Sequence, residues 1–309
     1  MSPIVPEDNN KPRKSHFILI LFILIVLNVL TFCFFFFEPY IRQSYIVANL
    51  KTSSFTINGT VLQYFHSPLA LDMTKGIFVT KIPTEQYMDQ STLYFLLREQ
   101  VITIDIDAKG VTVTPQDIDK ISQISKLPFL NHITIHNMTM TDLLADVLLN
   151  CKGLEHLGLH DVAVTDHQLL QITGDKSLIS INLKISTKIS EQAFIEFLEA
   201  NPQLRNIGIA DTPLMTDQIA SAISELQLES VYFSNVALTD KHIEIMSKNN
   251  SIKIFIVFSC PDLSDESFQY FEQMTLLTML ALRDTNVTAA GVAEFKSAKP
   301  ACKVHANPK

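Results

Sequence analysis

The chain has 309 residues, of which 47% are hydrophobic and 18% are charged, so its composition excludes an intrinsically disordered protein. It carries 24 lysines and arginines against 32 aspartates and glutamates, and this net charge of −8 argues against nucleic acid as a partner. Four cysteines are too few for a disulfide-stapled scaffold.

A long apolar segment lies near the N-terminus. Residues 17–37 carry no charge and, apart from one Asn, one Thr and one Cys, they are Phe, Ile, Leu or Val. A helix needs about 20 such residues to span a bilayer. Because Lys11, Arg13 and Lys14 precede the segment, the positive-inside rule places residues 1–16 in the cytoplasm as a tail. We therefore predict a single-pass membrane protein that contacts the lipid bilayer through residues 17–37. The rest of the chain is then extracytoplasmic, and periplasmic if the protein is bacterial.

A cleaved signal peptide is the alternative interpretation of this segment. The apolar region of a signal peptide has about 7–15 residues and is followed by small residues at the cleavage site. Here the apolar run is longer, and it ends in four phenylalanines followed by Glu38 and Pro39. These features favour an uncleaved anchor.

Residues 38–98 separate this predicted span from the repeats that follow it. We predict that they form a juxtamembrane segment that caps the open N-terminal end of the repeats. Within them, residues 55–65 alternate between apolar and polar residues around Asn58-Gly59, which is a turn signal. This pattern predicts a pair of strands joined at that turn.

An internal repeat fills residues 99–304. The segments Leu154–Asp166 and Leu228–Asp240 both have apolar residues at offsets 0, 3, 5, 8 and 10, and both end in Thr-Asp. The same frame recurs every 24 to 26 residues from the anchors Leu130, Leu154, Leu178, Leu204, Leu228, Ile252 and Leu277. A looser copy that starts at Val101 brings the total to about eight units, which leaves residues 305–309 as a tail.

Each repeat unit predicts one strand and one helix. Offsets 3 and 5 alternate with polar neighbours, which is typical of a short strand with one buried face. The Thr or Ser that follows is a helix N-cap, and the acidic residue after it suits the positive end of the helix dipole. One strand and one helix cannot bury their own apolar faces, but stacked units bury them jointly. The sequence therefore predicts an α/β solenoid with a parallel sheet on its concave face.

The repeat resembles leucine-rich repeats of the Thr-Asp type that is often called cysteine-containing. The segments Cys151-Lys-Gly-Leu154 and Asn201-Pro202-Gln-Leu204, together with Cys260, match the pattern of that type. The whole chain is similar to the membrane-anchored leucine-rich repeat proteins of planctomycete-type bacteria. This resemblance implies a right-handed β-α superhelix and a non-catalytic binding scaffold whose partner is unknown.

Histidines recur at equivalent positions of neighbouring units. Because equivalent offsets in adjacent strands lie about 4.8 Å apart, His132 should lie beside His156, and His136 beside His160. Asp107 and Lys184 extend the row of His136 and His160, and Asp105 lies near it. We call these seven residues the histidine patch: Asp105, Asp107, His132, His136, His156, His160 and Lys184. A solvated polar surface, a pH-sensitive contact surface and a metal site are all compatible with this set.

The other end of the concave face is apolar. We call the residues predicted to be exposed there the apolar patch: Tyr232, Ile254, Ile256, Phe258 and Met279. A C-terminal loop or the crowded curvature of the solenoid could cover these residues, whereas large exposed apolar clusters usually mark a protein-binding surface.

The sequence predicts a non-enzymatic protein that binds a protein partner through its concave face and uses no cofactor or metal. No local motif brings together a nucleophile, a base and an orienting acid. Two alternatives stay open: a structural protein of the bacterial envelope that self-associates, and a metal-dependent enzyme or pH sensor at the histidine patch. Cys151, Cys260 and Cys302 are an odd number at positions set by the repeat, which predicts buried free thiols.

Overall fold

The computed structural model describes residues 26–27, 56–63, 99–108, 115–127, 130–174, 178–185 and 189–308. The predicted membrane span lies outside these residues except for Val26 and Leu27, and so does most of the predicted capping segment 38–98. Among the described residues, no helix combines the length and the apolar character that crossing a membrane requires.

The described strands form one ten-stranded sheet in which spatial order follows chain order. Strands β2 to β10 are parallel neighbours, and β1 pairs antiparallel with β2. The strands are β1 Thr56–Gln63, β2 Glu99–Asp107, β3 His132–His136, β4 His156–Val162, β5 Ser180–Ile185, β6 Asn206–Ala210, β7 Ser230–Ser234, β8 Ile254–Phe258, β9 Met279–Arg283 and β10 Lys303–Ala306.

A helix follows each strand from β2 to β9, and these crossovers give the α/β solenoid with a parallel sheet that the sequence predicts. The helices are α1 Pro115–Ser122, α2 Asp142–Leu149, α3 Asp166–Gln171, α4 Glu191–Ala200, α5 Asp217–Glu225, α6 Asp240–Met246, α7 Phe268–Gln273 and α8 Ala289–Ala298. Short 3₁₀ turns adjoin three of them, at Gln123–Lys126, Ile172–Gly174 and Asp265–Ser267. The last strand, β10, extends two residues into the predicted tail.

The core lies between the sheet and the helices. Leu157, Val231 and Phe255 are all buried at the same strand offset, as the repeat frame predicts. Phe255 packs edge-on against Phe271 of α7, with their ring centroids 5.0 Å apart, so one unit's strand contacts its own helix. Phe255 also contacts Phe233 of the preceding strand, at 5.9 Å between centroids. Apolar burial is therefore continuous from one unit to the next, which is how a solenoid is stabilised.

The helices begin at the predicted caps. The hydroxyl groups of Thr141, Ser190 and Thr216 each accept a hydrogen bond from the backbone N–H three residues later, at 3.1–3.3 Å. Thr165 forms a full capping box, since Gln168 also accepts a hydrogen bond from the backbone N–H of Thr165 at 3.1 Å. These bonds satisfy donors that a helix cannot pair internally.

The acidic residue after the cap has a second role, which the sequence analysis did not predict. Asp240 accepts hydrogen bonds from the backbone N–H of Ser264 at 2.9 Å and from its hydroxyl at 2.6 Å. Asp265 holds the backbone N–H and hydroxyl of Thr288 in the same way, at 2.7 and 2.6 Å. Each carboxylate therefore ties the start of its own helix to the cap of the next unit. We call this set of contacts the aspartate ladder.

The predicted hairpin at Asn58-Gly59 is wrong. Residues Thr56–Gln63 form one continuous strand, and Gly59 pairs with Ile104 of β2. An Asn-Gly pair makes a hairpin only when its two flanking segments pair with each other. Here the edge of β2 offers backbone partners along the whole segment, with one register shift between Thr60 and Val61. β1 therefore lies along the edge of β2, and the capping role of residues 38–98 as a whole stays a prediction.

Candidate functional site

Both predicted patches lie on the open face of the sheet, opposite the helices. In β7 and β8, partly exposed residues alternate with buried ones, and the partly exposed residues are those at offsets 2, 4 and 6 of the repeat. Because the strands pair in register, equivalent offsets form three rows that run from β2 to β9, and the first two rows continue into β10. The two patches occupy different parts of the same three rows.

The two predicted histidine pairs are present. His132 and His156 are direct partners across β3 and β4, and their rings stack with centroids 5.3 Å apart and planes inclined by 25°. His136 and His160 are also direct partners, with centroids 4.8 Å apart and planes inclined by 56°. Residues 24 apart in the sequence are therefore neighbours in the sheet, and this brings the imidazoles of adjacent units into contact.

Carboxylates border the second histidine pair. The Nε2 atom of His136 lies 2.9 Å from Oδ1 of Asp105. Asp107 is the register partner of His136, but its carboxylate accepts a hydrogen bond from the amide of Asn137 at 2.8 Å. Asp105 is therefore the carboxylate that pairs with an imidazole.

Lys184 belongs to the row of His136 and His160 by register, but its ammonium group forms ion pairs with two aspartates. Its Nζ atom lies 3.3 Å from Asp161, at the register shift near the end of β4, and 3.1 Å from Asp211, which follows β6. Hydrogen bonds to these two carboxylates raise the pKa of Lys184. Lys184 therefore links neighbouring units at the carboxyl edge of the sheet.

Burial is the main cause of the pKa shifts of four residues of the histidine patch. Burial, with a smaller contribution from the charge of His156, lowers the pKa of His132 to about 4. Burial is also the main reason why the pKa values of His156 and His160 are lowered, and burial raises the pKa of Asp105. At neutral pH, the imidazoles of His132, His156 and His160 are therefore uncharged.

The patch does not have the geometry of a metal centre. Within the described part of the chain, no three His, Cys, Asp or Glu side chains are grouped so that they can hold a metal ion. The register explains this, because each histidine pair supplies two imidazoles and the two pairs are four strand residues apart, about 13 Å. We therefore propose no metal site.

The apolar patch spans β7, β8 and the start of β9. Its five residues are partly exposed, although the residues between them are buried. Tyr232 and Phe258 pack edge to face, with ring centroids 5.7 Å apart and planes at 88°. The two rings hold each other in place, so the patch presents a fixed apolar surface.

Two cationic side chains and a histidine border the apolar patch on its C-terminal side, and they were not predicted from the repeat. The guanidinium carbon of Arg283 lies 5.3 Å from the ring centroid of Phe258, its register partner. Lys303 pairs with Met279, and His305 with Ala281. All three side chains are exposed. Extending the repeat offsets into β9 and β10 would have identified them.

Small and polar residues separate the two patches. Gly208 lies at the centre of β6, where a Cβ atom would overlap the carboxamide of its neighbour Asn182. Ala210 and Ser234 continue the third row towards Phe258. The open face therefore changes from imidazoles to small polar groups and then to apolar side chains along the sheet.

A Thr-His-Asp arrangement at the N-terminal ends of α5 and α6, outside the open face, was also not predicted. The hydroxyl of Thr239 lies 3.2 Å from Nδ1 of His242, and Nε2 of His242 lies 3.5 Å from Asp217. However, Nδ1 accepts a hydrogen bond from the backbone N–H of Thr239 at 3.1 Å. Its lone pair is therefore used to cap the helix, so His242 is not placed as a general base.

The three cysteines of the repeats are buried, as predicted. Cys151, Cys260 and Cys302 form no disulfide. The pKa of Cys260 and of Cys302 is raised by burial, which disfavours the reactive thiolate. These thiols therefore pack as small apolar side chains.

Proteins that are similar to this chain are found among the solved structures. The chain matches no family model and no curated protein sequence. An internalin from Listeria monocytogenes shares 13% identity with a TM-score of 0.38, over 60% of this chain and 65% of the internalin. The leucine-rich repeat ectodomain of the Arabidopsis receptor kinase HAESA, solved with a peptide hormone ligand, shares 14% identity with a TM-score of 0.39. That match covers 61% of this chain and 32% of the ectodomain, so the chain spans less than two thirds of both proteins.

Proposed function

We propose that this protein is a non-catalytic leucine-rich repeat protein that binds a protein partner through the apolar patch on the open face. The observation that carries the proposal is the alternation in β8, where Ile254, Ile256 and Phe258 are partly exposed while the two residues between them are buried. A strand with one solvated face normally carries polar residues on that face. Three apolar residues there, next to Tyr232 and Met279, form a surface that a partner would cover.

The energetics of such a surface favour a protein partner. Burial of one large apolar side chain contributes about 1.5–3 kcal/mol, so a few anchors supply much of a specific interaction. Aromatic residues and arginine are the commonest anchors at protein interfaces, and this patch has Tyr232 and Phe258 beside Arg283. The fixed edge-to-face geometry of the two rings reduces the entropy that binding would cost.

We further propose that residues 17–37 anchor the chain in a membrane, with the repeats on the extracytoplasmic side. The length and charge pattern of that segment support the anchor, and the resemblance to planctomycete-type proteins supports an envelope location. Reporter fusions test the topology. A periplasm-active reporter should function when it is fused after Lys309, and activity only of a cytoplasm-active reporter at that position would contradict it.

Site-directed photocrosslinking in the native membrane tests the partner-binding proposal. A photoreactive residue at Phe258 should capture a defined protein, and the double substitution Ile256→Asp with Tyr232→Asp should abolish that capture. Leu143, an exposed leucine on α2, provides the matched control, since Leu143→Asp should leave capture unchanged. Circular dichroism of each variant should match the wild type because all of these side chains reach solvent.

Two outcomes would contradict this assignment. Capture that persists in the double variant would exclude the apolar patch as the binding site. A captured band that consists of a second copy of this chain, together with a dimer in sedimentation analysis, would support the self-associating alternative.

A further inference from the structure

We infer that the partner places a carboxylate beside its apolar anchor, so that the carboxylate meets Arg283 while the anchor lies on Ile256 and Phe258. This inference rests on the proposed function, because it describes the chemistry of the same partner at the same patch. Its occupant is an acidic and apolar segment of another protein.

The register places cations along one border of the apolar patch. Phe258 pairs with Arg283, and Met279 pairs with Lys303 in the next strand. Arg283 lies in the third row of the open face and Lys303 in the first, so they are four strand positions apart, about 13 Å. A single carboxylate therefore contacts one of them, and Arg283, which lies against the Phe258 ring, is the one beside the aromatic anchor.

The charge of Arg283 is available to a partner. Among the described residues, no carboxylate lies within ion-pair distance of Arg283 or Lys303. The neighbouring Asp284 accepts a hydrogen bond from the side-chain amide of Asn307 at 3.0 Å. Stacking on the Phe258 ring orients the guanidinium group without neutralising it.

The cationic border of the apolar patch contrasts with the acidic net charge of the whole chain. The protein has a net charge of −8, so its overall field repels acidic partners. A cationic border at this one apolar surface makes the attraction local and selective. Arginine also binds a carboxylate through two parallel hydrogen bonds, which adds orientation to the attraction.

The second row has a small side chain at the border of the apolar patch. Ala281 follows Ile256 in that row and is 8% exposed, and the next residue, His305, is exposed. The small Ala281 side chain lies between these two larger ones, with Arg283 two residues further along its own strand. An aromatic or branched apolar side chain over Ala281 would bring an adjacent acidic residue within reach of Arg283.

Selection from a random peptide display library against the purified 309-residue chain tests the inference. We expect the enriched peptides to combine an aromatic or aliphatic residue with a neighbouring Asp or Glu. Synthesised peptides should bind Arg283→Glu about tenfold or more weakly than the wild type, and replacing the peptide's acidic residue by Lys should restore binding to that variant. Lys248→Glu changes the same net charge at an exposed site on the other side of the molecule, and it should alter affinity less than about twofold.

The outcomes separate this inference from the proposed function. Peptides that lack acidic residues but lose binding in Phe258→Asp would overturn the inference and leave the apolar docking site standing. Peptides whose binding is unaffected by Phe258→Asp would overturn both. If no peptide is enriched in a Phe258-dependent manner, or if the patch proves to be covered by a second copy of the chain, the inference is also overturned.

Discussion

The imidazole rings of His132 and His156 lie stacked on neighbouring strands, with the Nε2 atom of His132 3.3 Å from the hydroxyl of Thr134. Burial lowers the pKa of His132 from 6.5 to about 4. Between these pH values the unfolded chain binds more protons than the folded chain at this site. The contribution of His132 to the free energy of unfolding is therefore fully present above about pH 6.5 and is lost as the pH drops towards 4. Between about pH 7.5 and pH 5, we expect the free energy of unfolding to fall by about 1 kcal/mol less in His132→Gln than in the wild type, after allowance for solvent screening.

Denaturant unfolding of the wild type and the variant at both pH values measures this difference. Asp105, whose raised pKa acts in the opposite direction, is present in both proteins and its effect largely cancels. His167→Gln is the control because His167 is exposed on α3, and it should keep the wild-type dependence on pH. An equal loss of stability in the wild type and His132→Gln would show that His132 is not held neutral by burial.

The aspartate ladder should contribute measurably to stability. Asp240→Ala removes a charged acceptor from both the backbone N–H and the hydroxyl of Ser264, and we expect a loss of about 1–3 kcal/mol in the free energy of unfolding. Asp262 is an exposed aspartate in the same region, so Asp262→Ala should change that free energy by less than about 0.5 kcal/mol. Similar values for the two variants would mean that the ladder does not couple neighbouring units.

Two glycines of the open face should respond differently to a methyl group. A Cβ atom at Gly158 would lie 2.8 Å from the methyl carbon of Thr134, a buried β-branched side chain that cannot easily move. We expect Gly158→Ala to cost about 1–2 kcal/mol. At Gly208 the obstacle is the end of the exposed Asn182 side chain, which can rotate, so Gly208→Ala should cost less than about 0.5 kcal/mol. Thermal unfolding of the two variants gives the comparison, and a larger loss at Gly208 would contradict it.

Substitution of two phenylalanines of β8 should distinguish core residues from residues of the open face. Phe255 is fully buried between Phe233 and Phe271, so Phe255→Ala should cost about 3–5 kcal/mol in unfolding free energy. Phe258 lies on the open face, and Phe258→Ala should cost about 1 kcal/mol or less. Chemical denaturation measures both values. If Phe258→Ala were as destabilising as Phe255→Ala, the open face would be part of the core.

The register of the sheet was predictable from the sequence because side chains in a strand alternate between two faces. Once Leu157 and Val231 were placed at one offset of the repeat, the neighbours of His132 and His136 followed by counting. The Thr and Ser caps were predictable for the same reason, since a hydroxyl before an acidic residue pairs locally with the helix N-terminus. Local patterns in a repeat thus determine long-range neighbours.

Other contacts depend on how one unit meets the next, and a single unit's pattern does not contain them. Asp240 was predicted to act on the dipole of its own helix, whereas its carboxylate reaches Ser264 of the following unit. Lys184 was placed in the histidine row, but Asp161 near the end of β4 and Asp211 after β6 draw its side chain to the edge of the sheet. The Asn58-Gly59 turn failed because the choice between a hairpin and a continuous strand depends on a free edge elsewhere in the chain.

The carboxyl edge of the sheet has one more repeated feature. A left-handed conformation, with φ of 51–54°, recurs where strands end. Asp161 adopts it one residue before the end of β4, and the residues that directly follow a strand adopt it at Asn137, Asp211, Asn235, Ser259 and Asp284. Most of these are Asn or Asp, which tolerate this region better than other side chains. The same exit angle after successive strands keeps the units parallel to one another.

In-register stacking has a geometric consequence for the distance between the two patches. The histidine patch reaches β5 and the apolar patch begins at β7, and each strand adds about 4.8 Å along the sheet. Gain or loss of a whole unit between them would change their separation by that fixed step while leaving both surfaces intact. A ligand that contacts both patches would therefore bind differently to two proteins that differ by one repeat unit between the patches.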